Sequence, residues 1–145
     1  MRNRRGVGLV DIILAITIVG AAAMLFSAAF PGSFSAIRQA SETKEAAVIA
    51  QRKIEQVKFL GYENLDYEKL LAAEIIDESP SSSPYSFTNV DSLSEVLTNP
   101  SGTLAITDNN SSVKSIVVTV QWNSGGISRS VVVRSLLCDK RTKRG

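Results

Sequence analysis

The sequence predicts an α+β protein in which a long N-terminal helix carries a small antiparallel β-sheet on its outer half. An apolar run and a helix-forming stretch follow each other through the first 60 residues. The last third of the chain holds two β-branched runs separated by a glycine pair. At 145 residues the chain has room for one folded domain beyond the apolar run.

The apolar run extends from Val7 to Phe30, and Asp11 is its single charged residue. A run of about 24 residues is long enough to cross the hydrocarbon core of a bilayer as a helix. A lone carboxylate inside such a helix costs about 2.5 to 3.5 kcal/mol on insertion scales, so Asp11 needs a partner. Residues 7–30 are therefore predicted to form a transmembrane helix.

A basic leader, residues 1–6, precedes the apolar run. Its three arginines predict, by the positive-inside rule, that this end stays in the cytoplasm while the rest of the chain is exported. A glycine lets a protease approach the backbone closely, so Gly6 is a candidate scissile residue. Cleavage there would create a positive α-amino group on Val7, four residues before Asp11. The amine and the carboxylate could pair within one chain or between neighbouring chains.

The residues from Arg4 to Ile16 resemble the cleavage and assembly segment of type IV prepilins and type II secretion pseudopilins. In that family the prepilin peptidase, a membrane-embedded aspartic peptidase, cuts after the glycine and N-methylates the new first residue. An acidic side chain at the fifth mature position is used in filament assembly. The resemblance implies cleavage after Gly6, methylation of Val7 and an assembly role for Asp11. The family usually has phenylalanine in place of Val7 and glutamate in place of Asp11.

The resemblance also implies a pilin-like fold, with an assembly helix over residues 7–30 and an extracytoplasmic domain over residues 31–145. The expected partners are other pilins or pseudopilins, bound through their N-terminal helices, the prepilin peptidase and the cytoplasmic membrane. The expected location is the inner membrane as a single-pass protein, and then a pilus or pseudopilus. Nucleic acid is expected only indirectly, through a DNA-uptake pilus. Residues 47–65 are loosely similar to the minor-pilin and I-type pseudopilin branch.

A helix-forming stretch extends from Phe34 to Leu60, rich in Ala, Glu, Gln, Lys and Arg and free of Pro and Gly. Pro31-Gly32 before it predicts a kink or break, and Gly61 after it predicts the end of the helix. Apolar residues recur there at offsets of three and four, which predicts a stripe that packs on the sheet: Ala47, Ala50, Ile54 and Val57. The charged residues are predicted to lie off that stripe: Glu45, Arg52, Lys53 and Glu55.

The β-branched runs, residues 115–122 and 127–136, flank Asn123-Ser124-Gly125-Gly126 and predict a β-hairpin. Apolar and polar residues alternate in both runs, so one face of the hairpin is predicted to pack on the helix. Residues 103–107 predict a third strand. Between residues 66 and 110 the sequence otherwise predicts turns and two short helices, over Tyr67–Ile76 and Leu93–Leu97.

Cys138 is the single cysteine, which excludes an intramolecular disulfide. Cys138 itself is predicted to be a small apolar residue at the end of a strand. The basic tail that follows, residues 139–145, predicts a solvated end. Three of the 16 basic residues lie in the leader, which leaves 13 against 14 acidic ones, so the overall basicity says little about nucleic acid.

The composition argues against an enzyme. The chain has no histidine, which excludes His-based triads, His general bases and ordinary zinc sites. It also shows no nucleophile motif and no Gly-rich phosphate loop after a strand. No catalytic, metal-binding or cofactor-binding residue and no small-molecule substrate are therefore expected.

Two other non-enzymatic functions stay open. One is a secreted domain released by signal peptidase, because small residues follow the apolar core at residues 21–29. The other is an uncleaved single-pass protein whose outer domain binds a ligand. Neither function needs Asp11. The mature N-terminus separates the three: Val7 for a pilin, a residue in the 22–30 stretch for a secreted domain, and Met1 for an anchor.

Overall fold

A computed structural model describes residues 8–110 and 112–139. The fold is α+β, as predicted. Its elements in chain order are helix α1 (Leu9–Leu60), a 3₁₀ turn (Tyr62–Asn64), helix α2 (Tyr67–Ala72), strand β1 (Tyr85–Ser86), a second 3₁₀ turn (Leu93–Glu95), and strands β2 (Ser101–Asn110), β3 (Val113–Ser124) and β4 (Ile127–Cys138). The chain divides into two compact units, residues 1–39 and residues 40–145.

Among the described residues, the first unit is formed by the N-terminal part of α1. This helix continues through residues 31 and 32, so the break predicted from Pro31-Gly32 is absent. Proline removes one backbone donor and crowds one carbonyl, and the helical turns on both sides outweigh that local cost. Every side chain described between Leu9 and Arg38 is exposed.

The second unit contains a four-stranded antiparallel sheet in the order β1-β2-β3-β4. Strands β3 and β4 pair in continuous register from Val113 opposite Cys138 to Ser124 opposite Ile127. The predicted hairpin and third strand are confirmed, and all three strands are longer than predicted. Strand β1 was not predicted and pairs with β2 over only two residue pairs. The other edge of the sheet is therefore the much longer strand β4.

One face of the sheet packs on the outer half of α1, as predicted. Alternate residues of β3 are buried: Ile116, Val118, Val120 and Trp122. The helix contributes the predicted Ala50, Ile54 and Val57, but Ala46 is buried in the place predicted for Ala47, which is half-buried. Ala46 lies on the same helical face as the buried Lys53 and Val57, at i+7 and i+11, whereas Ala47 lies at the edge of that face.

The prediction that Lys53 lies off the buried stripe is wrong, since its side chain is fully buried. The predicted helix end is confirmed for α1 but not for the two short helices. Helix α1 ends at Leu60, before Gly61 at φ 87°, as predicted. Helix α2 stops at Ala72 rather than Ile76, and the second short helix is a single 3₁₀ turn.

Candidate functional site

Of the three predicted site residues, only Asp11 falls in the part of the chain that the structure describes. Gly6 and Val7, the predicted cleavage and methylation residues, lie outside the described residues. Any pairing between the Val7 amine and the Asp11 carboxylate lies outside them as well. Asp11 is in the first turn of α1.

Asp11 caps the start of its own helix. Its carboxylate oxygen Oδ2 accepts a hydrogen bond from the Gly8 backbone N–H at 3.3 Å. The Asp11 backbone N–H donates to the Gly8 carbonyl at 2.9 Å. An acidic side chain at the third helical position commonly reaches back in this way, and it faces the positive end of the helix dipole. The local backbone therefore fixes this carboxylate at the beginning of α1.

The hydroxyl groups of the apolar run bond to their own helix. Thr17 Oγ1 donates to the Ile13 carbonyl at 2.8 Å, and Ser27 Oγ donates to the Ala23 carbonyl at 2.9 Å. Such back-bonding satisfies a hydroxyl without water. A carboxylate offers about four acceptor positions, whereas Gly8 supplies one donor. Asp11 can therefore accept hydrogen bonds from a donor outside the helix. The Thr17 and Ser27 hydroxyl groups need no such partner, because each already donates to a carbonyl of its own helix.

The N-terminal part of α1 is long and apolar enough to span a membrane. Its most apolar 18-residue window has a mean hydropathy of 2.5, and none of that window is buried. The core helix of a soluble protein is buried on its apolar face, so this surface needs a cover that the rest of the described chain does not provide. A signal sequence shares the same length and composition.

Lys53 forms a second polar site, in the core of the outer unit. Its Nζ donates hydrogen bonds to the Ile75 carbonyl at 2.9 Å and to the Asp91 carboxylate at 3.0 Å. The ammonium also lies 5.0 Å from the centroid of the Phe87 ring, within cation–π distance. Burial lowers the pKa of the Lys53 amine below its ordinary value, and the hydrogen bond and charge of Asp91 oppose this effect.

Asp77 organises the backbone beside Lys53. Its carboxylate accepts hydrogen bonds from the Ser86 hydroxyl and from the backbone N–H groups of Asn89 and Val90, the last at 2.9 Å. Burial alone would raise the pKa of this carboxyl, but the hydrogen bonds to its charged form outweigh burial and lower the pKa. Asp77 therefore ties together two stretches of chain twelve residues apart.

Sequence reasoning missed Lys53, although its spacing gave one signal. Lys53 stands three residues after Ala50 and four before Val57, both on the predicted stripe. Those offsets place a side chain on the buried face of a helix. A lysine at such a position needs a buried acceptor, and nothing in the local sequence identified Asp91 as that acceptor.

The remaining described residues add no candidate metal site. Between residues 8 and 110 and between 112 and 139, no group of three His, Cys, Asp or Glu side chains could hold a metal ion. Cys138 ends β4, as predicted, but its thiol is exposed rather than packed. No family model, curated protein or solved structure matches the chain. Fold and sites thus define an α+β protein with an exposed apolar N-terminal helix.

Proposed function

We propose that this chain is a minor pilin or pseudopilin subunit. The prepilin peptidase cuts it after Gly6, and it then assembles into a type IV pilus or a type II secretion pseudopilus. The observation that carries the proposal is the fully exposed apolar part of α1 with a single acid in its first turn. The bilayer covers this surface before assembly, and the equivalent helices of neighbouring subunits cover it afterwards.

The chemistry of Asp11 supports assembly over simple anchoring. In a membrane anchor a carboxylate in the first turn contributes only a local cap, and a charge within the apolar run makes insertion less favourable. An assembling subunit gains a counter-charge for the α-amino group that cleavage creates on the Val7 of a neighbour. The pairing compensates two charges that would otherwise be buried separately.

Two other functions share the exposed helix. An uncleaved anchor with a ligand-binding outer domain needs the same length and hydropathy, and so does the signal sequence of a secreted domain. Neither gives a role to the glycine before the run or to an acid five residues after it, whereas the leader arginines fit all three functions by the positive-inside rule. The pilin or pseudopilin function is therefore the one that uses all of these features.

The mature N-terminus tests the proposal. The full chain is expressed in membranes with and without an active prepilin peptidase, and its intact mass and N-terminal peptide are measured. We expect Val7 as the first residue, carrying one methyl group, only where the peptidase is active. A chain that begins at Met1 in both membranes is an anchor, and one that begins between residues 22 and 30 is a secreted domain. Either result overturns the proposal.

A matched pair of glycine variants shows whether the cut depends on Gly6 itself. Gly6→Leu should leave the full-length chain, because a bulky side chain obstructs access to the scissile bond. Gly8→Leu changes a glycine two residues away, where an added Cβ lies at an ordinary 3.7 Å from Asp11 Oδ2. We expect normal processing of Gly8→Leu. If Gly6→Leu is also processed normally, the cut lies elsewhere in the chain.

A further inference from the structure

The two edges of the sheet differ in length and in protection. Strand β1 has only two residues and follows Pro84, which cannot donate to an added strand. Strand β4 has twelve residues, contains no proline or lysine, and pairs with β3 without a bulge. Its one inward-facing charge, Arg129, lies near the turn at one end. Within the described residues no strand pairs with the other side of β4, so this edge is open to an added strand.

The backbone of β4 directs the polar groups of alternate residues toward the free edge. Ser124 and Ile127 flank the two-residue turn and form a hydrogen-bonded pair. The ladder alternates from that pair, so the odd-numbered residues of β4 bond to β3. Val132, Arg134 and Leu136 belong to the other set, and their N–H and C=O groups lie along the free edge. An added strand would bond to these groups without disturbing the ladder between β3 and β4.

The face of β4 that points toward α1 is only half covered. Val131 and Val133 pack against the core and are half-buried, whereas the β3 residues opposite them, Val120 and Val118, are fully buried. The cover over the core therefore ends at the last strand of the sheet. Apolar residues of one more strand would lie beside Val131 and Val133 and would remove more of their surface from water. The strand that fits this edge therefore has apolar residues at alternate positions.

The opposite face of β4 favours a partner with carboxylates. This face carries Arg134, which is exposed, between Val132 and Leu136, which are 48% and 61% exposed. No residue of β4 is acidic, and the sequence after Asp139 continues as Lys140-Arg141-Thr142-Lys143-Arg144. Opposite charges on facing strands stabilise a sheet, whereas like charges destabilise it. A second copy of β4 would bring further arginines and no carboxylate, so an acidic strand of another protein fits this edge better.

We propose that the free edge of β4 binds an extended segment of another protein by strand addition. The segment runs antiparallel to β4, as every neighbouring pair of this sheet does. Its apolar residues cover Val131 and Val133 on the face toward α1, and its carboxylates lie beside Arg134 on the outer face. Backbone hydrogen bonds supply the affinity and the alternate side chains supply the specificity. The inference does not depend on the pilin proposal, because it rests on the outer unit alone.

A synthetic peptide of this chemistry tests the edge. It alternates valine with a polar residue, which is glutamate in the N-terminal half and threonine in the rest. The valines are N-methylated, so that only the amides of the polar residues can pair and the peptide cannot stack into fibrils. An analogue with lysine in place of glutamate, and a form N-methylated at every amide, are the controls. The full chain in detergent micelles is titrated into each fluorescent peptide, with empty micelles as the blank, and the anisotropy gives the Kd.

We expect the glutamate peptide to bind about fivefold more tightly than the lysine analogue, and the fully N-methylated form not to bind. Val132→Pro removes an N–H of the free edge but none that bonds to β3, and it should weaken binding by about tenfold or more. Val132→Thr keeps the N–H and the branched shape and should bind as the wild type does. Arg134→Glu should reverse the preference between the glutamate and lysine peptides. Failure of the glutamate peptide to bind, or equal binding to Val132→Pro and wild type, overturns the proposal.

Amide hydrogen exchange of the wild-type chain locates the peptide and covers the case in which Val132→Pro fails to fold. We expect the bound peptide to slow exchange at Val132, Arg134 and Leu136, whose N–H groups lie along the free edge. The odd-numbered residues of β4 should change little, because β3 already protects them. Protection elsewhere in the chain but not at these three amides overturns the proposal. Protection of the same amides by self-association, without peptide, would make a second copy the occupant and would also overturn it.

Discussion

Lys53 Nζ lies 3.0 Å from the Asp91 carboxylate, although 38 residues separate the two in the chain. This pair connects the middle of the outer half of α1 to the chain just before the second 3₁₀ turn. A buried ammonium without a counter-charge would cost several kcal/mol, so the packing of Lys53 in the core depends on the position of Asp91. The outer unit thus combines its apolar core with several polar contacts between distant residues, of which this ion pair is one.

Asp11→Ala should still insert and still be cleaved after Gly6, because the change lies beyond the scissile bond. Its recovery with partner pilins should nevertheless fall by about tenfold or more, since the neighbour's buried amine loses its counter-charge. Asp11→Glu should retain or improve recovery. The measurement is co-purification of processed protein with partner pilins at matched membrane levels.

Thr17→Val is the control for that experiment. It removes another polar group of the apolar run, but one that bonds to its own helix at the Ile13 carbonyl. We expect recovery equal to wild type. Equal recovery of Asp11→Ala, Asp11→Glu and wild type would show that Asp11 is not the assembly contact.

Asp77→Asn should destabilise the outer unit by about 2 kcal/mol at neutral pH, because hydrogen bonds to a charged acceptor are lost. The pKa of Asp77 is lower in the folded chain than its ordinary value of 3.8. The charged form therefore stabilises the fold above 3.8, and that stabilisation disappears as the pH falls through the folded value. The difference between wild type and Asp77→Asn should accordingly shrink in acid.

Urea unfolding followed by the emission of Trp122 measures this difference. Trp122 is the only tryptophan and is buried in β3. Glu95→Gln changes an exposed carboxylate of the same unit, and its stability should stay close to that of the wild type. A difference that stays constant from neutral pH to below the folded pKa would contradict the role given to the Asp77 charge.

Gly102→Ala should destabilise the sheet by about 1 to 3 kcal/mol, the usual cost of overpacking. An added Cβ would lie 2.5 Å from Cε2 of Phe87, a fully buried ring. Combining it with Phe87→Leu removes the clashing atoms, so the second change should cost less in the Gly102→Ala background than in wild type. Urea unfolding of the four chains gives the coupling free energy, and strict additivity would contradict the clash.

The hairpin turn should tolerate only side chains suited to a left-handed backbone. Gly125 has φ 59° and Gly126 has φ 82°, as a two-residue turn of the mirror-image type I requires. Gly125→Asn should be nearly neutral, whereas Gly125→Val should cost about 1 to 2 kcal/mol. The same urea titration checks both, and equal stability of the two variants would exclude strain at this position.

The hairpin could be predicted from sequence because all of its determinants are local. Val118, Val120 and Trp122 alternate with polar residues, and the glycine pair follows within four residues. The pairing register then follows from the turn. Strand β1 could not be predicted, because its two residues form no periodic pattern and their place depends on contacts with β2.

The candidate site residues also include one that could be predicted from the sequence and one that could not. The position of Asp11 was evident as the single charge of an apolar run. The burial of Lys53 was not, because a buried lysine depends on a partner that only the folded chain brings near. The continuous helix at residues 31 and 32 was missed for a different reason. A proline signal is local, whereas the helical turns on either side of it act cooperatively.

The edge of the sheet formed by β4 affects how samples of the outer unit associate at high concentration. In a two-residue hairpin the flanking pair, Ser124 and Ile127, exchanges both hydrogen bonds with the facing strand. Alternate residues from Ser128 to Cys138 therefore direct their backbone N–H and C=O groups away from β3. A fragment prepared for crystallisation would expose this edge together with the Cys138 thiol. Concentrated samples would then pair through β4, and oxidation would cross-link the pairs; a reducing buffer or Cys138→Ser prevents only the cross-link.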